Sequence, residues 1–384
     1  MSGADHALIR NRLDQVIDRA LAEKRIVGAV VLLARHGEPV YARAAGLADR
    51  EAGRTMRPDA IFRLASVTKP AVALAAMALV EDGVIALDEA VTRWLPDFRP
   101  RLIDGSRPDI TLHHLMTHSA GLSYRFLEAE GSVFHDLDIS DGLDQPGLTV
   151  AENLRRLSDA PLSYAPGTGW RYSLAMDVMG AVLEQATGSS LDDIVRERVT
   201  GPLGMVDTGF RLTDPARLAM PYANAEPEPR PIHDGDRVPV YGGFVRFAPS
   251  RILHPDSYPS GGAGMVGTAG DVLRMLEAIR TGGTALKPNT LAAMTSARIG
   301  PEAQTRGPGW GFGYGWAVLC DPNAAASPQG QGTLQWGGVY GHSWFVDPSN
   351  GISLVSLTNT AMEGMNGAFP LAIRNAVYGG PSAG

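Results

Sequence analysis

Ser66 and Lys69 stand three residues apart in the stretch Phe62-Arg63-Leu64-Ala65-Ser66-Val67-Thr68-Lys69-Pro70. A serine hydroxyl is a weak nucleophile until a neighbouring base takes its proton, and a lysine becomes such a base when burial disfavours its charged form. Among the chain's 34 lysines and arginines, only Lys24, Lys69 and Lys287 are lysines. A lysine where arginine is the usual cation points to a group that must lose its proton. The apolar run Ala71 to Val80 ends at Glu81-Asp82-Gly83. This predicts a buried helix with Gly83 as its stop and Ser66 at or just inside its N-terminus. Lys69 then shares a face with Ser66, and the free N–H groups of the helix end suit a developing anion. The bland alternative is a capping serine followed by a solvated lysine. A cation is disfavoured at that end of a helix, which weighs against it.

A Ser–Lys pair also needs a proton donor for the leaving group, an oxyanion hole and a substrate slot. Tyr172, in Trp170-Arg171-Tyr172-Ser173-Leu174, follows a Pro166-Gly167 turn and precedes a helical pattern. It can project from a loop into a cleft as a proton relay, or it can be a core tyrosine. Trp336-Gly337-Gly338-Val339-Tyr340-Gly341-His342 reads as a strand broken by three glycines. Such glycines mark either close approach by a ligand or a bend. His113, His114 and His118 have no Glu, Cys or further carboxylate at ligand spacing, so packing and capping are expected of them rather than a metal. No Gly-x-Ser-x-Gly elbow is present, and no Gly-x-Gly-x-x-Gly follows a strand.

The elements that must hold these residues begin with an amphipathic helix through Ile9, Leu13, Ile17 and Leu21. Two strands, Val27 to Arg35 and Val40 to Gly46, are expected to join in a hairpin through His36-Gly37-Glu38-Pro39. From Glu81 to about Ser250 short helical segments alternate with proline and glycine, including Leu112 to Leu122, Asp177 to Thr187 and Leu191 to Val199. Asn224 to Pro249, dense in proline and charge, is expected to be a long surface loop walling the site. Strands return at Tyr314 to Cys320, Thr333 to Trp336, His342 to Val346 and Ile352 to Thr358, with a turn at Asp347 to Gly351 and a last helix over about Phe369 to Val377. The expected fold is α+β: one antiparallel sheet built from both termini and flanked by helices, with a mostly helical insertion. The boundaries drawn are 1–80 with 255–384, and 81–254, with the active site between them.

The 384 residues are 44% hydrophobic and 20% charged, an ordinary globular composition. A net charge of −7 without a basic run argues against a nucleic-acid surface or an anionic-membrane patch. Cys320 stands alone, so no internal disulfide framework forms. Met1 to Lys24 lacks the apolar core of a signal peptide, and Pro70 to Val80 is too short to span a bilayer. A cytoplasmic location follows as the expectation. Oligomeric state is not legible.

Six pieces in order resemble the serine β-lactamase and penicillin-binding-protein superfamily, specifically its class C-like branch and the family VIII carboxylesterases. They are Phe62 to Lys69, Leu115 to Leu122, Tyr172-Ser173-Leu174, Pro202 to Met205, Pro259 to Gly264 and Trp336 to His342. The resemblance implies Ser66 as the acylated nucleophile, Lys69 and Tyr172 as base and proton relay, and the N–H groups of Ser66 and Val339 as the oxyanion hole. It implies double displacement through an acyl-enzyme, with no metal or organic cofactor. Two departures bear on substrate. Leu174 replaces the asparagine of the family's Tyr-x-Asn, and Trp336-Gly337-Gly338 replaces Lys-Thr-Gly, whose cation holds a lactam carboxylate. An uncompensated carboxylate in the cleft is costly. An apolar cleft of Tyr124, Leu174, Trp336, Gly337, Gly338 and Trp344, with Phe244 nearby, suits a small neutral ester. Arg155, Arg246 or His342 remains a candidate replacement cation.

The expected activity is that of a serine carboxylesterase on short-chain acyl esters, a small-molecule substrate, and the resemblance allows deacetylation of cephalosporins. A β-lactamase or D-Ala peptidase, an acyltransferase, and a catalytically dead binding protein on the same fold are the alternatives. Whether Lys69 or Tyr172 is the resting base stays open.

Overall fold

The computed structural model describes residues 3–380, so the outermost residues of the expected 1–80 and 255–384 segments lie outside the described residues. Its centre is an eight-stranded antiparallel sheet. The strand order is Trp310–Phe312, Ala317–Leu319, Leu334–Gly338, His342–Asp347, Ile352–Thr358, Gly28–Arg35, Glu38–Asp49 and Arg54–Thr55. Chain from near both ends therefore meets where Gly28–Arg35 pairs with Ile352–Thr358, Val31 opposite Ser356. The expected hairpin closes through His36 and Gly37, both with positive φ (50° and 91°), the two-residue turn that matches strand twist.

Alternation along these strands builds two cores. Val31, Leu33, Phe345, Ile352 and Leu354 face the terminal helices Gly3–Ala22 and Ala368–Tyr378, meeting Leu13, Ile17, Phe369 and Ile373. Val30, Trp344, Val346, Val355 and Leu357 face the larger core that contains the helix Thr68–Glu81. That helix is buried on nearly every side, as its unbroken apolar sequence requires, and ends at Gly83 with φ 71°.

Two expectations need correction. Of Leu112 to Leu122, only Leu112–Met116 is helical; the chain leaves through His118 and Gly121, both at positive φ. Asn224 to Pro249 is not a structureless loop. Arg230–Pro231 joins a small sheet, and Arg237–Val240 pairs with Gly243–Arg246 as a hairpin turning at Tyr241-Gly242. Buried Val238, Val240, Val245 and Phe247 alternate there, a pattern hidden among prolines and charges. Among the described residues, no helix is long and apolar enough to cross a membrane.

Candidate active site

Ser66 sits in a short 3-10 turn, Ala65–Val67, immediately before the helix Thr68–Glu81. Ala65 is held at φ 46°, an unfavourable region for alanine. The turn is fixed from behind. Leu64 N–H donates to Met265 O at 2.9 Å, and Met265 N–H donates to Thr68 Oγ1 at 3.1 Å. One helical step later, Lys69 is fully buried, with Nζ 3.1 Å from Ser66 Oγ and donating to Gly262 O at 2.7 Å. From the opposite side Tyr172 donates its phenol to Ser66 Oγ at 2.6 Å, while Trp336 Nε1–H donates to the phenol oxygen at 3.3 Å. Lys69 Nζ also lies over the rings of Tyr172 and Tyr124, 4.6 and 5.5 Å from their centroids.

The electrostatics follow from burial. Desolvation pulls Lys69 down to about 7, opposed by the charge of Asp177, whose own carboxyl is pushed up by the same desolvation. Burial drives the Tyr172 phenol well above its ordinary value. Both groups are thus held toward their neutral forms, a free amine and an intact phenol on either side of one hydroxyl. An amine in that state is able to accept the Ser66 proton as Oγ attacks a carbonyl, and a phenol in that state is able to protonate a departing alkoxide. Gly262 makes room for this corner: a Cβ there would stand 2.5 Å from Asp177 Oδ2 and 2.9 Å from Tyr124 Oη.

The Ser66 hydroxyl opens into a cavity of about 580 Å³ lined by Tyr124, Phe126, Trp170, Tyr172, Trp336 and Val339 among others. This is ample for a small organic substrate. Tyr124 stacks on Phe126 with centroids 4.7 Å apart. Its loop is anchored by Asp141, which accepts from Arg125 N–H at 2.7 Å, and by the buried pair Arg125–Asp144 at 2.8 Å.

The beta-lactamase family profile matches residues 13–374. The chain belongs to the beta-lactamase family. Esterase EstB of Burkholderia gladioli is 60% identical over 378 residues, covering 97% of this chain and 96% of that protein. The solved structure of EstCE1, described as a hydrolase with promiscuous acyltransferase activity, superposes with a TM-score of 0.95 at 51% identity, covering 98% of this chain and 100% of that one. Unliganded simvastatin synthase (LovD) from Aspergillus terreus shares the fold at 24% identity, with a TM-score of 0.74 over 95% of this chain and 97% of that one.

Of the residues that the beta-lactamase-family pattern marked, Ser66, Tyr124, Tyr172, Trp336, Gly337 and Val339 reach the cavity, with Lys69 directly beneath. Gly338 does not line it; this glycine lets the strand end press against the Leu64 carbonyl, bringing Val339 beside the Ser66 turn. Leu174 is fully buried at the start of the helix Ala175–Thr187 and faces the core. His342 is likewise interior: its Nε2 lies 2.8 Å from Arg63 O, its ring stands edge-on to Phe62, and burial lowers its pKa to about 4. A neutral, buried imidazole cannot serve as the missing cation. Trp344 lies one strand further into the sheet and packs edge-on to Trp316.

The other candidates also lie outside the cavity. Phe244 is covered by the Arg237 guanidinium, 3.5 Å above its ring. Arg155 is exposed and paired with Glu152 and Asp159. Arg246 is committed to Asp144 and Asp138, at 2.6 and 2.5 Å. His113 meets Tyr314 Oη at 2.9 Å, His114 caps the helix Leu112–Met116 with Thr111, and the ring of His118 tilts against Tyr172 at 4.9 Å. Sequence reasoning missed Asp177 behind Lys69, Tyr241 at the hairpin tip, and Arg171 and Arg306 on the cavity wall. Only Arg171, beside Tyr172, carried a signal by position.

Proposed function

We propose that this protein is a serine esterase that hydrolyses short-chain acyl esters through an acyl-enzyme on Ser66. One observation carries the reading: Ser66 Oγ is held at once by Lys69 Nζ and the Tyr172 phenol on the floor of an aromatic cavity. Neutral Lys69 takes the Ser66 proton as Oγ attacks the ester carbonyl. The N–H groups of Ser66 and Val339 stabilise the resulting oxyanion. The tetrahedral intermediate collapses, the carbon–oxygen bond to the alcohol breaks, and Tyr172 delivers a proton to the leaving oxygen, replenished from protonated Lys69. Water then repeats the sequence on the acyl-enzyme and returns Ser66. The direction of both pKa shifts supports Lys69, rather than Tyr172, as the resting base. Trp336, where a β-lactamase of this branch carries its lysine, adds apolar surface suited to an ester rather than a lactam carboxylate.

A second reading, acyl transfer to an alcohol, differs only in the acceptor. The cavity volume favours it, because about 580 Å³ leaves room beside a short acyl group. Initial rates on p-nitrophenyl acetate, butyrate and octanoate and on a chromogenic cephalosporin, with and without an added alcohol, separate these readings. Fast short-ester turnover that vanishes in Ser66→Ala is expected. Rapid lactam opening would displace the esterase reading, and ester products with the added alcohol would promote the second.

A further inference from the structure

The cavity mouth carries a cation that the reaction does not use. Two arginines line the cavity. Arg171 is neutralised: it pairs with Glu128 at 2.8 Å and donates to Ser123 Oγ at 2.8 Å. Arg306 is different. Among the described residues, no carboxylate lies within ion-pair distance of it and its guanidinium has no hydrogen-bond acceptor, although the side chain belongs to the cavity wall. It is placed between two indoles, 6.0 Å from the ring centroid of Trp310 and 5.7 Å from that of Trp336. Stacking on aromatic faces fixes a guanidinium while leaving its N–H edge free.

The backbone under Arg306 is also fixed. Thr305 N–H donates to Trp310 O at 3.1 Å, Thr305 Oγ1 donates to Gly311 O at 2.6 Å, and Gly307 N–H donates to Gln304 O at 2.8 Å. Trp336 links this turn to the chemistry, since its other edge donates to the Tyr172 phenol beside Ser66. Arg306 is thus linked to the nucleophile through one indole and the Tyr172 hydroxyl. The carboxyl that shares the cavity wall, Asp141, does not cancel it: burial pushes Asp141 up to about 7, and its backbone partner is Arg125.

We propose that Arg306 is an anion-recognition residue that adapts this esterase to esters bearing a carboxylate several bonds from the scissile carbonyl, such as half-esters of dicarboxylic acids. This rests on the esterase reading above. A guanidinium with its fork free offers a carboxylate two parallel N–H donors, and the surrounding indoles take the methylene chain between the carboxylate and the ester. Arg306 takes the role that Arg155, Arg246 and His342 cannot fill, from a neighbouring turn that stacks on Trp336, the residue standing where the family lysine is missing.

The test compares mono-p-nitrophenyl adipate with p-nitrophenyl hexanoate, which share chain length and differ in the terminal carboxylate. In Arg306→Gln the ratio of kcat/KM for the half-ester to that for the neutral ester falls about tenfold through a raised KM, the size expected for one charge-assisted contact. Arg306→Lys keeps part of the ratio and Arg306→Glu lowers it further. Raising salt on the unaltered enzyme erodes the same ratio, because an exposed charge is screened. A ratio unchanged across these variants and insensitive to salt overturns the proposal. Ser66→Ala is run alongside: hydrolysis of the neutral ester that survives it overturns the esterase reading itself, a separate failure.

Discussion

The floor of the cavity and its mouth are built on opposite principles. At the floor, Ser66, Lys69, Tyr172 and Gly262 interlock within hydrogen-bond distance, and burial sets their protonation. At the mouth, Tyr241 projects from a hairpin tip, Arg171 is tied to Glu128, and Arg306 rests on indole faces with no counter-ion among the described residues. On the proposed mechanism the floor fixes what reaction occurs and tolerates almost no change. The mouth fixes which ester arrives, and its contacts are individually weak. Substitutions at the two levels should therefore differ in both size and kind.

The largest losses belong to the floor. Ser66→Ala and Lys69→Met should each lower kcat/KM for p-nitrophenyl butyrate by about 10³-fold or more, with combined substitution costing little beyond either, since the pair acts as a unit. Lys69→Met carries a second signature. The folded state holds Lys69 near 7 while the unfolded chain keeps the ordinary lysine value, so between those values the unfolded chain binds the extra proton. Stability rises with pH across that window, and the penalty is present in full below about pH 7. Lys69→Met should accordingly raise the melting temperature at pH 6.5 by about one to two degrees while abolishing turnover, roughly what relief of one or two kcal/mol produces in a chain of this length.

Tyr172→Phe comes next, with a fall in kcat of about 10²- to 10³-fold, the usual worth of one positioned proton donor. Gly262→Ala should cost about 1–3 kcal/mol of stability and most of the activity, because its methyl group meets Asp177 and Tyr124 behind Lys69. For the unaltered enzyme, kcat/KM should fall about tenfold per pH unit below about 7 as Lys69 takes up a proton, and level off above it. A flat profile from pH 5 to 8 would remove Lys69 as the base. Trp344→Phe, the smallest kinetic effect, should lower stability by about 1–3 kcal/mol yet leave KM for short esters within about twofold, as befits a residue of the core.

The same division governs what the amino-acid order reveals. Ser66 and Lys69 are legible because a helix turns their spacing into contact, and Tyr172 and Trp336 because each sits where an element begins or breaks. The sheet is legible because Val30/Val31 and Leu354/Val355 alternate between two cores. Arg306 and Tyr241 are not, since their place on the cavity wall depends on chain folding back from distant positions. Arg155, Arg246 and His342 misled for a related reason. A charge or an imidazole looks available until its partners, Glu152, Asp144 and the Arg63 carbonyl, are brought beside it. Trp344 misled through period: it shares a face with Trp336 across the strand pair, but one strand deeper that face is already covered.

Everything in the proposed reaction depends on the passage of the acyl group through Ser66. Rapid acid quench of the enzyme during turnover of p-nitrophenyl butyrate, followed by peptide mass mapping, tests it directly. A butyryl adduct is expected on the peptide containing Ser66, absent in Ser66→Ala and accumulating far more slowly in Lys69→Met. Turnover without any adduct, or an adduct on another residue, would contradict it.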